Sequence, residues 1–249
     1  MLKLKNKHLI LNFNNSVMKI FLKFCYFSFL LILLSCGADT SSKNEKTTKN
    51  EPTETVSNNN ENNATKRIVF FGDSLTAGYG LEDINDAFPG VIQTKIDALS
   101  LGYTVVNSGV SGETTSGGKN RINWILNQKV DVFILELGAN DGLRGIPLAE
   151  TRRNLQAIID AVLQKYPSAK IILAGMQLPP NMGQDYTTEF RTIFPELAKK
   201  NNLYLIPFLL KDVGGIPRLN QGDGIHPTVA GQKILAKNVW SVLEPIINL

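Results

Sequence analysis

Beyond residue 65 the chain alternates between two hydrophobic rhythms. Ile68, Val69, Phe70 and Phe71 stand side by side, and similar short apolar runs recur at Tyr103–Asn107, Val130–Leu137, Lys170–Ala174 and Leu203–Ile206. Runs of this length, rich in β-branched and aromatic residues and without strict polar alternation, predict strands buried on both faces, as in a parallel sheet. Between the third and fourth runs Leu155, Ile158, Ile159, Val162, Leu163 and Tyr166 return at helical spacing, until Pro167 stops the pattern. A last helix is predicted to start near Pro227 and to bury Leu235, Val239, Val242 and Ile246. Strands alternating with helices make right-handed βαβ units, so residues 66–249 are expected to form one α/β domain: a five-stranded parallel sheet covered on both sides. No internal repeat is evident.

The first 65 residues follow other rules. Phe24–Leu34 is eleven residues without a charge, preceded by Lys19 and Lys23. That is the length of a signal-peptide core and too short to span a bilayer as a helix. It runs into Leu33-Leu34-Ser35-Cys36-Gly37, which resembles the lipobox of bacterial lipoproteins, where the cysteine is lipidated and becomes the mature N-terminus. Residues 1–35 are thus expected to be a signal peptide, with Met18 as an alternative start and plain cleavage at small residues as the competing reading. Cys36 and residues 37–65 are Ser-, Thr-, Asn-, Lys- and Glu-rich, and too poor in apolar side chains to offset their ordering entropy. A disordered tether reaching about 30 Å is the expectation, with a membrane anchor at Cys36 on the cell envelope, facing the periplasm or the exterior.

Charge and rare residues narrow the chemistry. The net charge of +4 comes from the leader, where residues 1–35 carry five lysines and no acid; residues 66–249 are close to neutral. A basic patch on the domain itself, which nucleic-acid binding requires, is not suggested. Both cysteines, Cys25 and Cys36, lie before the domain, which excludes a disulfide framework or a cysteine metal site there. The domain has a single histidine, His226, so no metal and no cofactor is expected.

Chemistry-bearing residues instead collect where strands end. The first strand stops at Gly72-Asp73-Ser74; the second is followed by Ser111-Gly112-Glu113, the third by Gly138-Ala139-Asn140-Asp141-Gly142, and the fifth by a loop ending in Gly222-Asp223-Gly224-Ile225-His226-Pro227. Ligands of open α/β sheets bind in the crevice at the carboxyl ends of the strands. Ser74 is there a candidate nucleophile. Taken singly, each of these residues is also an ordinary turn former.

Taken together, and in this order, the four blocks resemble those of the SGNH, or GDSL, hydrolases, with Ala139 where that family usually has a second glycine. Asn140-Asp141-Gly142-Leu143-Arg144-Gly145 and the Asp223–Pro227 block are most similar to the acyl-CoA thioesterase I, arylesterase and lysophospholipase branch. The resemblance implies a three-layer α/β/α sandwich of the flavodoxin-like kind. It also implies Ser74 as nucleophile, His226 as general base and Asp223 as the residue that orients the ring. The oxyanion hole would comprise the backbone N–H groups of Ser74 and Gly112 and the amide of Asn140. Glycine at 112 suits a place where a side chain would obstruct approach to the amide. Asp73 and Asp141 read as structural, and the serine lacks the Gly-x-Ser-x-Gly setting of the α/β-hydrolase fold. The implied activity is hydrolysis of small acyl esters or thioesters through an acyl-serine. A carbohydrate O-acetyl esterase on the same fold, or a surface-binding lipoprotein without chemistry, are the alternatives. Gly142 and Gly145 flank Leu143 and Arg144, so this segment can move, and Leu143 and Ile146 are expected to offer apolar surface to the acyl group, with packing against the sheet as the alternative.

Overall fold

The computed structural model describes residues 65–248. The expected signal peptide, Cys36 and the polar segment up to residue 64 lie outside the described residues. Five strands, β1 (Lys66–Gly72), β2 (Tyr103–Gly109), β3 (Val132–Glu136), β4 (Lys170–Ala174) and β5 (Tyr204–Ile206), form one sheet in the order β2-β1-β3-β4-β5, every pair parallel. Among the described residues there are seven helices: α1 (Ser74–Ala77), α2 (Phe88–Ala98), α3 (Thr115–Ile125), α4 (Ala139–Leu143), α5 (Leu148–Lys165), α6 (Gln184–Asn201) and α7 (Val229–Ile247).

The strand order explains the layers. From β1 the chain moves outward to β2, then crosses back to β3 and continues to β4 and β5. A right-handed crossover places its helix on opposite faces for opposite directions of travel. So α2 lies on one face, where α7 returns to pack on it, while α3, α5 and α6 line the other. This is the flavodoxin-like order, and the reversal falls between β1 and β3.

β1 is the central beam. Phe70 and Phe71 are fully buried and point to opposite faces, Phe70 edge-on against Phe88 of α2 at 5.5 Å and Phe71 against Phe133 of β3 at 5.5 Å. Burying each ring stabilises the fold by roughly 2–3 kcal/mol. The guanidinium of Arg121 from α3 covers the Phe71 ring at 4.0 Å. β2 runs two residues further than its apolar run, because it stays in register with β1 until Gly72 faces Gly109. β3 is shorter than the run Val130–Leu137: Asp131, before its start, accepts the Arg67 N–H at 2.8 Å, and pairing stops at Glu136. In α5 the expected Leu155, Ile158, Ile159 and Val162 are fully buried, and Tyr166 ends the helix by donating its hydroxyl to Leu126 O and Gln128 O. α7 starts two residues after Pro227, capped by the Thr228 side chain accepting from Gly231 N.

Candidate functional site

The site lies at the carboxyl edge of the sheet, on either side of the reversal. β1 ends at Gly72 for a steric reason. A Cβ there would lie 2.1 Å from Thr76 Oγ1 and 2.5 Å from Glu136 Oε2. The chain then turns into α1, whose cap is the buried Asp73. Its carboxylate accepts the Leu75 N–H at 3.0 Å through Oδ1 and the Asn140 amide at 3.0 Å through Oδ2. Ser74 opens the helix and stays nearly buried.

The loop before α7 brings the other half. His226 Nε2 lies 2.9 Å from Ser74 Oγ, and His226 Nδ1 lies 2.6 Å from Asp223 Oδ2. The free oxygen of Asp223 accepts the backbone N–H groups of Ile225 at 2.9 Å and His226 at 3.0 Å. The bond from the ring, then the two backbone bonds, lower the Asp223 pKa to about 2. An ionised Asp223 assigns the proton to Nδ1 and leaves the Nε2 lone pair facing the serine hydroxyl. The structure thus brings together Ser74, Asp223 and His226, which the sequence separates by up to 152 positions.

Donors surround the same place. Neither the Ser74 nor the Gly112 backbone N–H has an acceptor among the described residues. Asn140, in α4 just beyond β3, spends one amide hydrogen on Asp73 and keeps the other. Arg144 donates to Gly112 O at 2.9 Å and reaches Asn140 Oδ1 at 3.5 Å. An acceptor on the nitrogen side and a donor on the oxygen side select the same amide orientation. Gly112 is required by its backbone. Its φ is +78°, and a Cβ would meet only Arg144 Nη2, at an ordinary 3.6 Å.

Asp141 is structural, as expected. It accepts from Thr115 N at 2.8 Å and from the Thr115 and Thr151 hydroxyls, tying α4 to α3 and α5. The segment after it is more constrained than its glycines suggest. Gly142 is buried under Leu178, Arg144 N donates to Asn140 O, Ile146 N donates to Asp141 O, and Tyr186 donates its hydroxyl to Ile146 O at 2.9 Å. Leu143 is 40% exposed beside this turn and Ile146 half-buried.

Three residues were not singled out from the sequence. Tyr79 lays its ring on the His226 ring, centroids 4.6 Å apart. Gln221 donates to Tyr79 O at 2.7 Å and to Pro227 O at 3.1 Å, clamping the nucleophile turn to the histidine loop. Glu136 lies wholly buried under the nucleophile turn. No group of three or more His, Cys, Asp or Glu side chains able to hold a metal occurs among the described residues.

Fold and site define a hydrolase on a parallel α/β/α sheet, with a Ser-His-Asp set at its carboxyl edge. The sequence profile of the GDSL-like Lipase/Acylhydrolase family matches residues 70–234. Esterase TesA of Pseudomonas aeruginosa is 37% identical over 185 residues, covering 74% of this chain and 90% of the relative. Thioesterase 1/protease 1/lysophospholipase L1 of Escherichia coli K12 is 35% identical over 186 residues, covering 74% and 86%. Among solved structures, psychrotrophic esterase EstA from Pseudoalteromonas sp., inhibited by monoethylphosphonate, superposes with a TM-score of 0.69 at 30% identity, covering 74% of this chain and 100% of EstA. The chain belongs to the GDSL-like lipase/acylhydrolase family. It is a carboxylic ester hydrolase.

Proposed function

We propose that this hydrolase cleaves small acyl esters and thioesters through an acyl-serine on Ser74. The observation that carries the reading is the continuous hydrogen-bonded path from Ser74 Oγ through both nitrogens of His226 to Asp223. As Oγ attacks the acyl carbonyl carbon, His226 Nε2 takes its proton, and Asp223 stabilises the imidazolium that results. The carbonyl oxygen becomes an oxyanion, received by the N–H groups of Ser74 and Gly112 and the second amide hydrogen of Asn140. Collapse breaks the bond to the leaving alcohol or thiol, which takes the proton from His226. Water, deprotonated by the same ring, then releases the acid and restores Ser74.

The apolar Leu143, 40% exposed at the rim, favours an acyl chain over a sugar. Relatives named esterase, thioesterase and lysophospholipase support the same substrate range. The test is a panel of acyl esters of graded length, acyl thioesters, lysophospholipids and acetylated sugars, run beside Ser74→Ala. Hydrolysis confined to acetylated sugars would replace the proposal with a carbohydrate esterase. Equal turnover by Ser74→Ala would remove the acyl-serine.

We also propose that the enzyme works from a lipid anchor at Cys36, on the evidence of the Leu33–Gly37 block alone. Cys36→Ser should abolish labelling by radioactive fatty acid; persistent label would refute the anchor.

A further inference from the structure

β3 delivers Glu136 directly beneath the nucleophile turn, 1% exposed. Its Oε2 accepts the Asp73 N–H at 3.1 Å and the Thr76 hydroxyl at 2.7 Å, while Oε1 is shut off from solvent and receives no donor. The group it faces is another carboxyl, Asp73, also 1% exposed.

The basic side chains around the pair are committed elsewhere. Arg121 of α3 is bound to Glu113 and to the carbonyls of Ser108 and Gly72, and His226 is held between Ser74 and Asp223. Asp141 of α4 is turned to Thr115. Two buried carboxyls without a paired counter-ion cannot both ionise, since each charge raises the cost of the other.

The donors decide which one keeps the charge. Asp73 has a donor on each oxygen; Glu136 has both of its donors on one oxygen and none on the other. Burial, then the neighbouring Asp73 charge, push Glu136 well above the usual carboxylate range. Burial raises Asp73 too, but only to about 6, opposed by the bonds from Leu75, Asn140 and Glu136.

We propose that Glu136 is a positioning residue of the acyl-transfer site, carried as an uncharged acid so that Asp73 keeps the negative charge that orients Asn140. The role rests on the acyl-serine reading above; the protonation state does not.

The test compares the full-length wild type with Glu136→Gln and Glu136→Leu. Glutamine has the shape of the neutral acid, and its amide can face Asp73 as a donor. The folded protein binds a proton at Glu136 that the unfolded chain releases above its ordinary value. Wild-type stability is therefore highest relative to Glu136→Gln at low pH and falls as pH rises. From about pH 5 up to the titration of Glu136, its folding constant should fall about tenfold per pH unit against that variant. Glu136→Gln should keep kcat within about threefold at unchanged KM, as a neutral isostere. Glu136→Leu should lose about 10–100-fold in kcat with KM held, from displacement of the oxyanion amide.

A wild-type-to-glutamine stability difference that stays flat with pH would overturn the neutral acid. Glutamine as damaging to kcat as leucine would overturn the positioning role. The glutamine arm decides the protonation state if the leucine variant fails to fold, and Glu136→Met, close to glutamate in length, then takes the place of leucine in the kcat comparison. Inactivation by an organophosphonate with stoichiometric label on Ser74 checks the parent reading separately, because full activity without label would remove the nucleophilic serine without touching the stability measurement.

Discussion

The nucleophile turn and the histidine loop meet at one hydrogen bond but are built on opposite principles. The turn grows out of the most buried strand of the sheet and is fixed by packed polar groups: Asp73, Thr76 and Glu136 all lie within 1% of full burial. The loop is a rim structure, with Asp223 and Ile225 exposed and its glycines facing open space. The two aspartates measure the contrast. From a common starting value of 3.8, burial drives Asp73 up to about 6, whereas hydrogen bonds in the open draw Asp223 down to about 2. The lesson is that a nucleophile can be aimed by the core while its base is aimed by a few hydrogen bonds of an exposed turn.

Activity should not respect this division. Ser74→Ala and His226→Ala should each lower turnover by roughly 10⁴–10⁶, and a large gap between them would split the unit. Asn140→Ala should cost about 10²–10³ in kcat, as for one oxyanion donor. It should also destabilise the fold by about 1–3 kcal/mol, because a buried Asp73 oxygen loses its donor. Full activity in that variant would remove Asn140 from the hole.

Stability should respect it. Gly72→Ala forces a Cβ onto Thr76 and Glu136 and should cost about 1–3 kcal/mol or more, whereas Gly222→Ala, with nothing within 4 Å, should stay within about 0.5 kcal/mol. Denaturant melts of both variants check the pair, and equal losses would erase the contrast.

The pH dependence should carry opposite signs. Asp223 has a folded value below 3.8, so its stabilisation is complete above that pH and is lost as pH falls toward 2. Asp73 has a folded value above 3.8, so wild type is favoured over Asp73→Asn at acid pH and loses that advantage as pH rises through about 6. Melts of Asp223→Asn and Asp73→Asn against wild type read both slopes; slopes of the same sign would contradict the assignment. The smallest effect concerns specificity. Leu143→Ala with Ile146→Ala should shift preference toward shorter acyl chains by a fewfold in kcat/KM, about what one or two methylenes are worth. An unchanged chain-length profile in the folded double variant would assign both side chains to packing.

Much of this was legible in the sequence, and for a physical reason. A parallel sheet buried on both faces writes its strands as uninterrupted apolar runs, and its ligands gather where those runs stop. Five strands, α5 and α7 follow from that alone, and the four blocks at the strand ends are the residues that converge. Other elements hid behind their own composition. α2 opens with Phe-Pro-Gly, α3 contains Gly117-Gly118, and α6 runs through Pro195, so helical periodicity is masked by residues that usually break it. α1 and α4 span four and five residues, too short for any period. Glu136 was hidden differently. One carboxyl in an apolar run reads as ordinary strand alternation, and its partner Asp73 is 63 positions away. Tyr79 and Gln221 carry no local signal at all; only the docking of two loops makes them meaningful.

The 152 positions between Ser74 and His226 have a consequence for the chain before it is finished. Closing so long a loop is repaid only once the intervening strands and helices have formed. The base reaches its hydroxyl only when the loop into α7, the last helix, has settled against the sheet edge. A nascent chain that stops short of residue 226 therefore holds the nucleophile turn without its base and turns over at the level of His226→Ala at best. Hydrolysis at full rate in this protein reports that the loop before α7 has been made and has docked on the nucleophile turn.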